Sequence, residues 1–455
     1  MDIKENILKT IGNTPIVKLN KISKGYKPQI FLKLEFFNPG GSVKDRIGIE
    51  IIEDAERDGR LRPGGTIVEA TSGNTGVGLA LAAAVKNYKC IFTIPDKMSN
   101  EKVQLLRAFG AEVIITPTAV AHESPESYTE VAKRIVRETP NSILANQFYN
   151  QKNPEAHYKT TGPEIWEQTD GQIDYFVAGV GTGGTISGVG KYLKEKNPKI
   201  KNIVADPTGS ILRDFLETKK NPDTFKPYKV EGIGLDWIPG TLHLDYVDEV
   251  IEVTDKEAFT IGRRLAREEG IFSGGSSGTA LAAALKIAER LNEKQIIVVL
   301  IPDTGERYLS KMYNDNWMRE HSFLIPEKVT MRYVIQGKAK NLPHLISVDS
   351  SATVQHAFDL IKQFDISQIP VIDKGKSVGS IDDGDLMSAV LENSTLLDKP
   401  VSQIMKPTYP IIGIEAPIEH AVELLTKKNS AVIIEENKKI AGIVTRYDVI
   451  EYMSR

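Results

Sequence analysis

The sequence predicts an α/β protein, with mostly parallel sheet in its first two thirds and a smaller repeated module behind it. Three observations carry that prediction. From Thr66 to Ile301 short apolar runs alternate with helix-length segments, the rhythm of parallel sheet covered on both faces. Glycine- and hydroxyl-rich loops stand where those runs give way to helices, the place where such sheets take ligands. Farther on, the chain repeats itself. At 455 residues it is also longer than one hydrophobic core normally serves, so two or three domains are expected.

Taken in order, Ile16–Leu19 and Ile30–Leu34 read as short strands with Gly, Asn and Pro between them. Ile47–Arg57 has a helical pattern, and Gly59 is its stop. Thr66–Ala70 is strand-like, Gly78–Lys86 an alanine-rich helix, Lys89–Ile94 a strand, Asn100–Phe109 a helix and Glu112–Thr116 a strand. The alternation returns with strands at Asp174–Gly179, Ile200–Asp206 and Gln295–Ile301 and helices at Ser187–Glu195, Phe259–Glu269 and Thr279–Leu291. His321–Glu327 lacks periodicity and marks the expected linker. The expected limits are 1–322 for the first domain, 323–340 for the linker, and 341–392 and 401–455 for two smaller domains. Within the latter pair, Thr353–Ile361 matches Pro417–Leu425, and Val378–Asp382 matches Ala441–Thr445 with one residue lost between the matches. Each copy reads helix, strand, turn, strand, helix. Such a unit is too small to bury its faces alone, so the copies are expected to pack together.

Composition narrows the class. The 41% hydrophobic and 26% charged content is ordinary for a globular chain, and a net charge of -3 gives no electrostatic reason to expect a nucleic acid or anionic membrane as partner. No run of about 18 apolar residues marks a membrane span, and Met1–Glu5 lacks a signal peptide's apolar core. Cys90, the one cysteine, excludes an intrachain disulfide and fits a reducing cytoplasm. It opens the apolar run Ile91–Ile94 and reads as a packed strand residue rather than a nucleophile. The seven histidines lack metal-ligand spacing, so no metal centre is expected.

Chemistry is expected around Asn38-Pro39-Gly40-Gly41-Ser42-Val43-Lys44-Asp45-Arg46. Pro39, Gly40 and Gly41 stop regular structure, and Ser42 with Asp45 reads as a helix N-terminus of the capping-box kind. Lys44 then falls in a first helical turn, at the positive end of the helix dipole. Such surroundings lower an ammonium's pKa, and an unprotonated amine is what Schiff-base chemistry needs. A solvated lysine is the alternative. Three further loops fall at strand-to-helix junctions. Thr71-Ser72-Gly73-Asn74-Thr75-Gly76 offers hydroxyls, an amide and N–H groups suited to a carboxylate, or forms a capped turn. Gly181-Thr182-Gly183-Gly184-Thr185 has few side chains, so its N–H groups can wrap a phosphate. It is not a Walker loop, since no Lys follows, and its mid-chain place does not suit a dinucleotide fingerprint. Ser273-Gly274-Gly275-Ser276-Ser277-Gly278 points a hydroxyl at a ligand or makes a tight turn.

Together, Ser42–Arg46, Thr71–Thr75, Gly181–Thr185 and Gly274–Ser276 resemble the fold-type-II pyridoxal-phosphate enzymes. Within them the chain resembles the cystathionine β-synthase and cysteine synthase family over about residues 5–320. The C-terminal repeat resembles a tandem of cystathionine-β-synthase-type (CBS) domains, the Bateman module. The resemblance implies sheets in two subdomains and pyridoxal 5′-phosphate as cofactor. Lys44 is implied as the Schiff-base lysine that also moves the substrate α-proton. Gly181, Thr182, Gly183, Gly184 and Thr185 are implied to hold the cofactor phosphate, Asn74 to meet the ring oxygen and Ser276 the pyridine nitrogen. Thr71, Ser72, Thr75 and Gln147 are implied to bind the substrate carboxylate. A neutral serine at the ring nitrogen makes a weaker electron sink than an acid, which favours loss of the β-substituent to an aminoacrylate and addition of a thiol.

The substrates so implied are L-serine and L-homocysteine, giving L-cystathionine, with hydrogen sulfide production as a further outlet. Glu231 and Asp236, in the stretch Glu231–Pro239, are candidates to receive homocysteine's ammonium, or are turn acids beside glycine. Phe148 stands where the likeness to cystathionine synthases implies tyrosine, so a cysteine synthase using O-acetylserine and sulfide is an alternative. A nucleotide-sensing protein with an inactive catalytic half is another, and a dinucleotide-dependent oxidoreductase a third. The haem-binding extension of some members uses a Cys and a His ahead of the catalytic domain. No such pair stands here, so no haem is expected. In the second repeat, Thr445 and Asp448 resemble the ribose contacts of adenosyl-ligand sites, which implies S-adenosylmethionine as regulator. The first repeat has Asp382 and Asp385 there, and an acid would repel a phosphate or crowd a ribose. An oligomerisation module without ligand is the alternative. The resemblance also implies a cytoplasmic homodimer or higher homo-oligomer acting on amino acids.

Overall fold

In the computed structural model, which describes residues 1, 3–71, 73–96, 98–121, 124–220, 226–324, 329–338, 345–425 and 429–454, the chain divides into two units, Met1–Phe323 and Leu324–Arg455. The strands of the first are β1 (Ile16–Lys18), β2 (Gln29–Leu34), β3 (Thr66–Ala70), β4 (Lys89–Pro95), β5 (Glu112–Thr116), β6 (Ser142–Leu144), β7 (Tyr175–Gly179), β8 (Lys201–Pro207), β9 (Glu249–Val253) and β10 (Ile296–Ile301). Its helices include α1 (Lys44–Arg57), α2 (Asn74–Lys86), α3 (Asn100–Ala108), α4 (Tyr128–Glu138), α5 (Lys152–Lys159), α6 (Thr161–Gln168), α7 (Gly184–Lys196), α8 (Leu212–Thr218), α9 (Asp255–Arg264) and α10 (Gly275–Ala288).

The strands form two sheets, one in the order β1-β2-β10-β7-β8-β9 and one in the order β5-β4-β3-β6. Every pairing is parallel except β1 with β2. Strands buried on both faces read as continuous apolar runs, as in β10, while β3 is buried at all five residues although it carries Thr66 and Glu69. The alanine-rich helices α2 and α10 are buried around most of their circumference, as helices apolar on all sides must be.

Helices α2, α7 and α10 each start a turn earlier than periodicity predicts, at Asn74, Gly184 and Gly275. Their small first-turn residues carry no apolar rhythm, so the glycine-rich loops become helix starts. Helices α4, α5, α6 and strand β9 were not expected from periodicity. Helices α1 and α2 touch backbone to backbone. A Cβ on Gly48 would lie 2.4 Å from the carbonyl carbon of Gly78, and one on Gly78 would lie 2.5 Å from the carbonyl oxygen of Lys44. That approach seats Lys44 beside the start of α2.

In the second unit, one copy of the repeat has helix Val354–Phe364, an antiparallel hairpin of Gln368–Asp373 and Lys376–Asp382, and helix Asp383–Glu392. The other has strands Ile411–Gly413, Ala431–Glu436 and Lys439–Thr445 with helices Ile418–Leu424 and Arg446–Ser454. The copies touch, since Asp382 Oδ1 accepts from Tyr409 and Ser430, each at 2.8 Å. Within the stretch 323–340 expected as linker, Met331–Gln336 is a helix. Its Met331, Val334 and Ile335 enter the core of the second copy, because apolar residues at this spacing share one helix face.

Candidate active site

Strand β10 ends at Ile301, and the residues after it tie three loops together. Val43 N–H donates to the Pro302 carbonyl at 2.8 Å, Gly274 N–H to the Asp303 carbonyl at 3.2 Å, and Asn74 Nδ2 to Asp303 Oδ2 at 2.7 Å. Tyr308 OH donates to the same carboxylate oxygen at 2.6 Å. The Arg307 guanidinium donates to Asn74 Oδ1 and to the Gly40 carbonyl. The starts of α1, α2 and α10 therefore converge on Asp303, which the sequence reading missed. Its signal was positional, for Pro302-Asp303-Thr304-Gly305 follows an apolar strand at its carboxyl end.

Lys44 falls in the first turn of α1, as expected, and is its first residue, but the capping box is not formed. Val43 holds the cap position, Ser42 Oγ accepts the Lys44 N–H at 3.3 Å, and Asp45 turns back to accept the Gly40 N–H at 2.6 Å. The Lys44 amine is lowered to about 8. The direction is the expected one, but the cause is burial, which outweighs the raising pull of Asp303 and Glu35.

Gly183, at φ +85°, precedes α7 without a side-chain cap, so first-turn N–H groups of α7 have no acceptor within the helix. Asn153 Nδ2 donates to Thr182 Oγ1 at 2.8 Å, and Thr185 Oγ1 lies 3.2 Å from His157 Nε2. A Cβ on Gly184 would fall 1.9 Å from Asn153 Oδ1, so glycine is what lets α5 reach this loop. A cradle of backbone N–H donors and two threonine hydroxyls at a helix start fits a phosphate, and the lowered lysine fits the aldehyde of the same cofactor. Ser276 is 4% exposed in the first turn of α10, between Ser273 and Ser277, whose buried hydroxyl oxygens have no hydrogen-bond partner among the described residues.

Thr71, Thr75 and Gln147 are brought together. Thr75 Oγ1 donates to Gln147 Oε1 at 2.5 Å, Gln147 Nε2 to the Ala70 carbonyl at 2.9 Å, and Gly73 N–H to Thr71 Oγ1 at 3.0 Å. Buried Glu69 steadies this corner by accepting the Asn146 and Gln147 N–H groups at 2.6 and 3.2 Å. Ser72 lies outside the described residues.

Glu231 departs from expectation. Its buried carboxylate pairs with Lys102 at 2.6 Å and with Lys311, so its charge is already matched within the protein and is not held for a substrate ammonium. Asp236 is exposed. Replacing Glu231 by Gln strands the buried Lys102 charge and is expected to destabilise the first unit by about 3 kcal/mol. Denaturant unfolding checks this, and an unshifted transition refutes the structural role.

In the second unit, Thr445 N–H and Oγ1 both donate to Asp448 Oδ2, at 2.6 and 2.8 Å, and Lys338 Nζ pairs with that oxygen at 3.0 Å. In the first copy Asp382 is engaged by Tyr409 and Ser430, and Asp385 pairs with Lys406 at 2.6 Å.

Comparison with known proteins agrees with this geometry. A family model described as pyridoxal-phosphate dependent enzyme matches residues 7–303, and a CBS domain model matches 339–392 and 401–455. Over 100% of its length the chain is 42% identical to the cystathionine beta-synthase of Dictyostelium discoideum and covers 93% of that protein. The chain belongs to the cystathionine β-synthase family. Two solved structures resemble its first unit. The O-acetylserine dependent cystathionine beta-synthase from Helicobacter pylori is 40% identical with a TM-score of 0.63, covering 68% of this chain and 99% of that one. A hydrogen sulfide-producing enzyme from Fusobacterium nucleatum has the same identity and TM-score, covering 68% of this chain and 100% of that one.

The cystathionine β-synthase family is one of pyridoxal-phosphate-dependent enzymes, and the expected fold-type-II architecture with a C-terminal CBS tandem stands. Helix α5 places Asn153 and His157 behind the glycine loop. Among the described residues, no helix is long and apolar enough to cross a membrane, and no group of three or more His, Cys, Asp or Glu is placed to hold a metal ion.

Proposed function

We propose that the chain joins L-serine and L-homocysteine to L-cystathionine by pyridoxal-5′-phosphate-dependent β-replacement. The observation that carries this is the convergence on Pro302 and Asp303 of the loops that lead into α1, α2 and α10, with Lys44 opening α1 and its amine lowered to about 8. Lys44 would hold the cofactor's aldehyde carbon, Gly181–Thr185 its phosphate, Asn74 its ring oxygen and Ser276 its pyridine nitrogen. When bound, the cofactor supplies the electron sink that makes the substrate's Cα–H bond breakable.

The rest is done by this chain's own side chains. The Lys44 amine takes the α-proton and later returns it, a task suited to a base with a pKa near the working pH. Thr71, Ser72, Thr75 and Gln147 fix the substrate carboxylate, and Asp303 with Arg307 fixes the plane of the Asn74 amide while leaving one of its hydrogens to donate. Ser276 offers a hydroxyl, not a charge, to its ligand. No haem enters this reading. Cys90 is buried on β4 with its thiol pushed up to about 12 by burial, which suits packing rather than ligation.

One specific alternative concerns the leaving group. The Helicobacter pylori relative is O-acetylserine dependent, and Phe148 brings an unadorned ring against Trp237, 5.2 Å between centroids. Turnover of serine plus homocysteine is therefore to be compared with O-acetylserine plus sulfide. The first pair is expected to dominate; more than about tenfold preference for the second reverses the assignment.

Thr445 and Asp448 are proposed to hold the ribose of S-adenosylmethionine, with Lys338 giving way to it. Calorimetric titration of the full chain is expected to show binding that Thr445→Val weakens about tenfold, and equal affinity in the variant would reject the site. The proposal takes the protein as a cytoplasmic homodimer or higher homo-oligomer, the compartment being supported by its single buried thiol.

A further inference from the structure

Asn153 and His157 stand one turn apart on α5 and reach the two threonines of the glycine loop. The amide of Asn153 donates to Thr182 Oγ1 at 2.8 Å, so that oxygen is used as an acceptor and its own proton is left to point elsewhere. The His157 ring is fully buried, with Nδ1 2.9 Å from Thr161 Oγ1 and Nε2 3.2 Å from Thr185 Oγ1. A neutral imidazole has one donor and one acceptor nitrogen, and a hydroxyl has one proton. Were Nε2 the acceptor, Thr185 would spend its proton on the ring and turn lone pairs toward the loop. With Nε2–H as donor, Nδ1 accepts from Thr161 and the Thr185 proton is released to the loop. A phosphate accepts hydrogen bonds at every oxygen, so only the second arrangement serves it.

We infer that His157 is a positioning residue whose Nε2–H tautomer holds the Thr185 hydroxyl so that its proton points into the Gly181–Thr185 cradle toward the cofactor phosphate. The inference rests on reading that loop as the phosphate site. The ring stays neutral there, because burial, with Lys44 and Arg46 near it, outweighs Glu164 and holds its pKa well below the usual histidine range.

The test is affinity of the full chain for pyridoxal 5′-phosphate against pyridoxal, which lacks only the phosphate. The unaltered protein is expected to prefer the phosphorylated form strongly. His157→Phe is expected to lose about tenfold in that preference with pyridoxal affinity unchanged, and His157→Gln, which restores an N–H near the Nε2 position, to recover most of it. A Phe variant with the original preference overturns the role of His157, as does equal loss for both ligands. An unaltered protein without preference instead removes the phosphate reading, and the inference with it. Should the Phe variant fail to fold, isotope-labelled histidine spectra of the holoenzyme decide. The signal lost in His157→Gln must report a protonated Nε2, and a protonated Nδ1 overturns the inference.

Discussion

Lys44→Ala is expected to lower β-replacement turnover by about a thousandfold and to abolish trapping of the cofactor on the protein by borohydride. Both effects follow from one amine, that of the half-buried first residue of α1. The pH dependence carries a sign. The amine captures an aldehyde only when unprotonated, and burial lowers it from 10.5 to about 8. Capture of pyridoxal phosphate by cofactor-free protein should thus rise roughly tenfold per pH unit below that value and level off above it. A surface lysine would keep gaining well beyond. A variant that retains turnover and borohydride trapping, or a profile still climbing steeply past pH 9 or so, rejects Lys44 as the attachment point.

Gly48→Ala is expected to have the second-largest effect, on stability and cofactor retention together. Its Cβ would stand 2.4 and 2.6 Å from the carbonyl carbon and oxygen of Gly78, and these are backbone atoms that no rotamer change can move aside. Helices α1 and α2 must separate. That overpacking costs about 3 kcal/mol in the first unit, at the upper end of the usual range. It also shifts Lys44 relative to Asn74, so cofactor content falls with stability. Gly384→Ala, whose Cβ would meet nothing within 4 Å, is the control expected to leave both unchanged. Unfolding and cofactor content matching the unaltered protein in the Gly48 variant would show that the helix contact does not set the site.

The candidate site was legible in the sequence where chemistry-bearing residues sit together at a strand-to-helix turn. Lys44, Thr71–Thr75 and Gly181–Thr185 have that local signature, because small residues and helix starts are needed to bring backbone donors to a ligand. Asp303, Asn153 and His157 lack it. A lone acid after a strand, or two polar residues on a short helix, looks like ordinary surface until the fold brings it to the loop. Glu231 shows the converse. Read alone it offers an acid to a substrate, but its partner Lys102 lies 129 residues earlier and nothing local announces the pair. Lys44 itself was assigned a lowered pKa through the helix dipole, whereas desolvation does more, and burial is a property of packing rather than of neighbours in sequence.

The sequence by itself determined the alternation of strand and helix, the tandem repeat and the loops rich in glycine, serine and threonine, since these depend on periodicity and on local backbone freedom. Only the tertiary structure decided which of those loops meet, which charges are already spent on one another, and that Met331–Gln336 belongs to a core rather than a linker. The physical reason is range. Hydrogen-bonding pattern and turn geometry act over a few residues, while desolvation and ion pairing are settled between groups that the chain separates by a hundred residues or more.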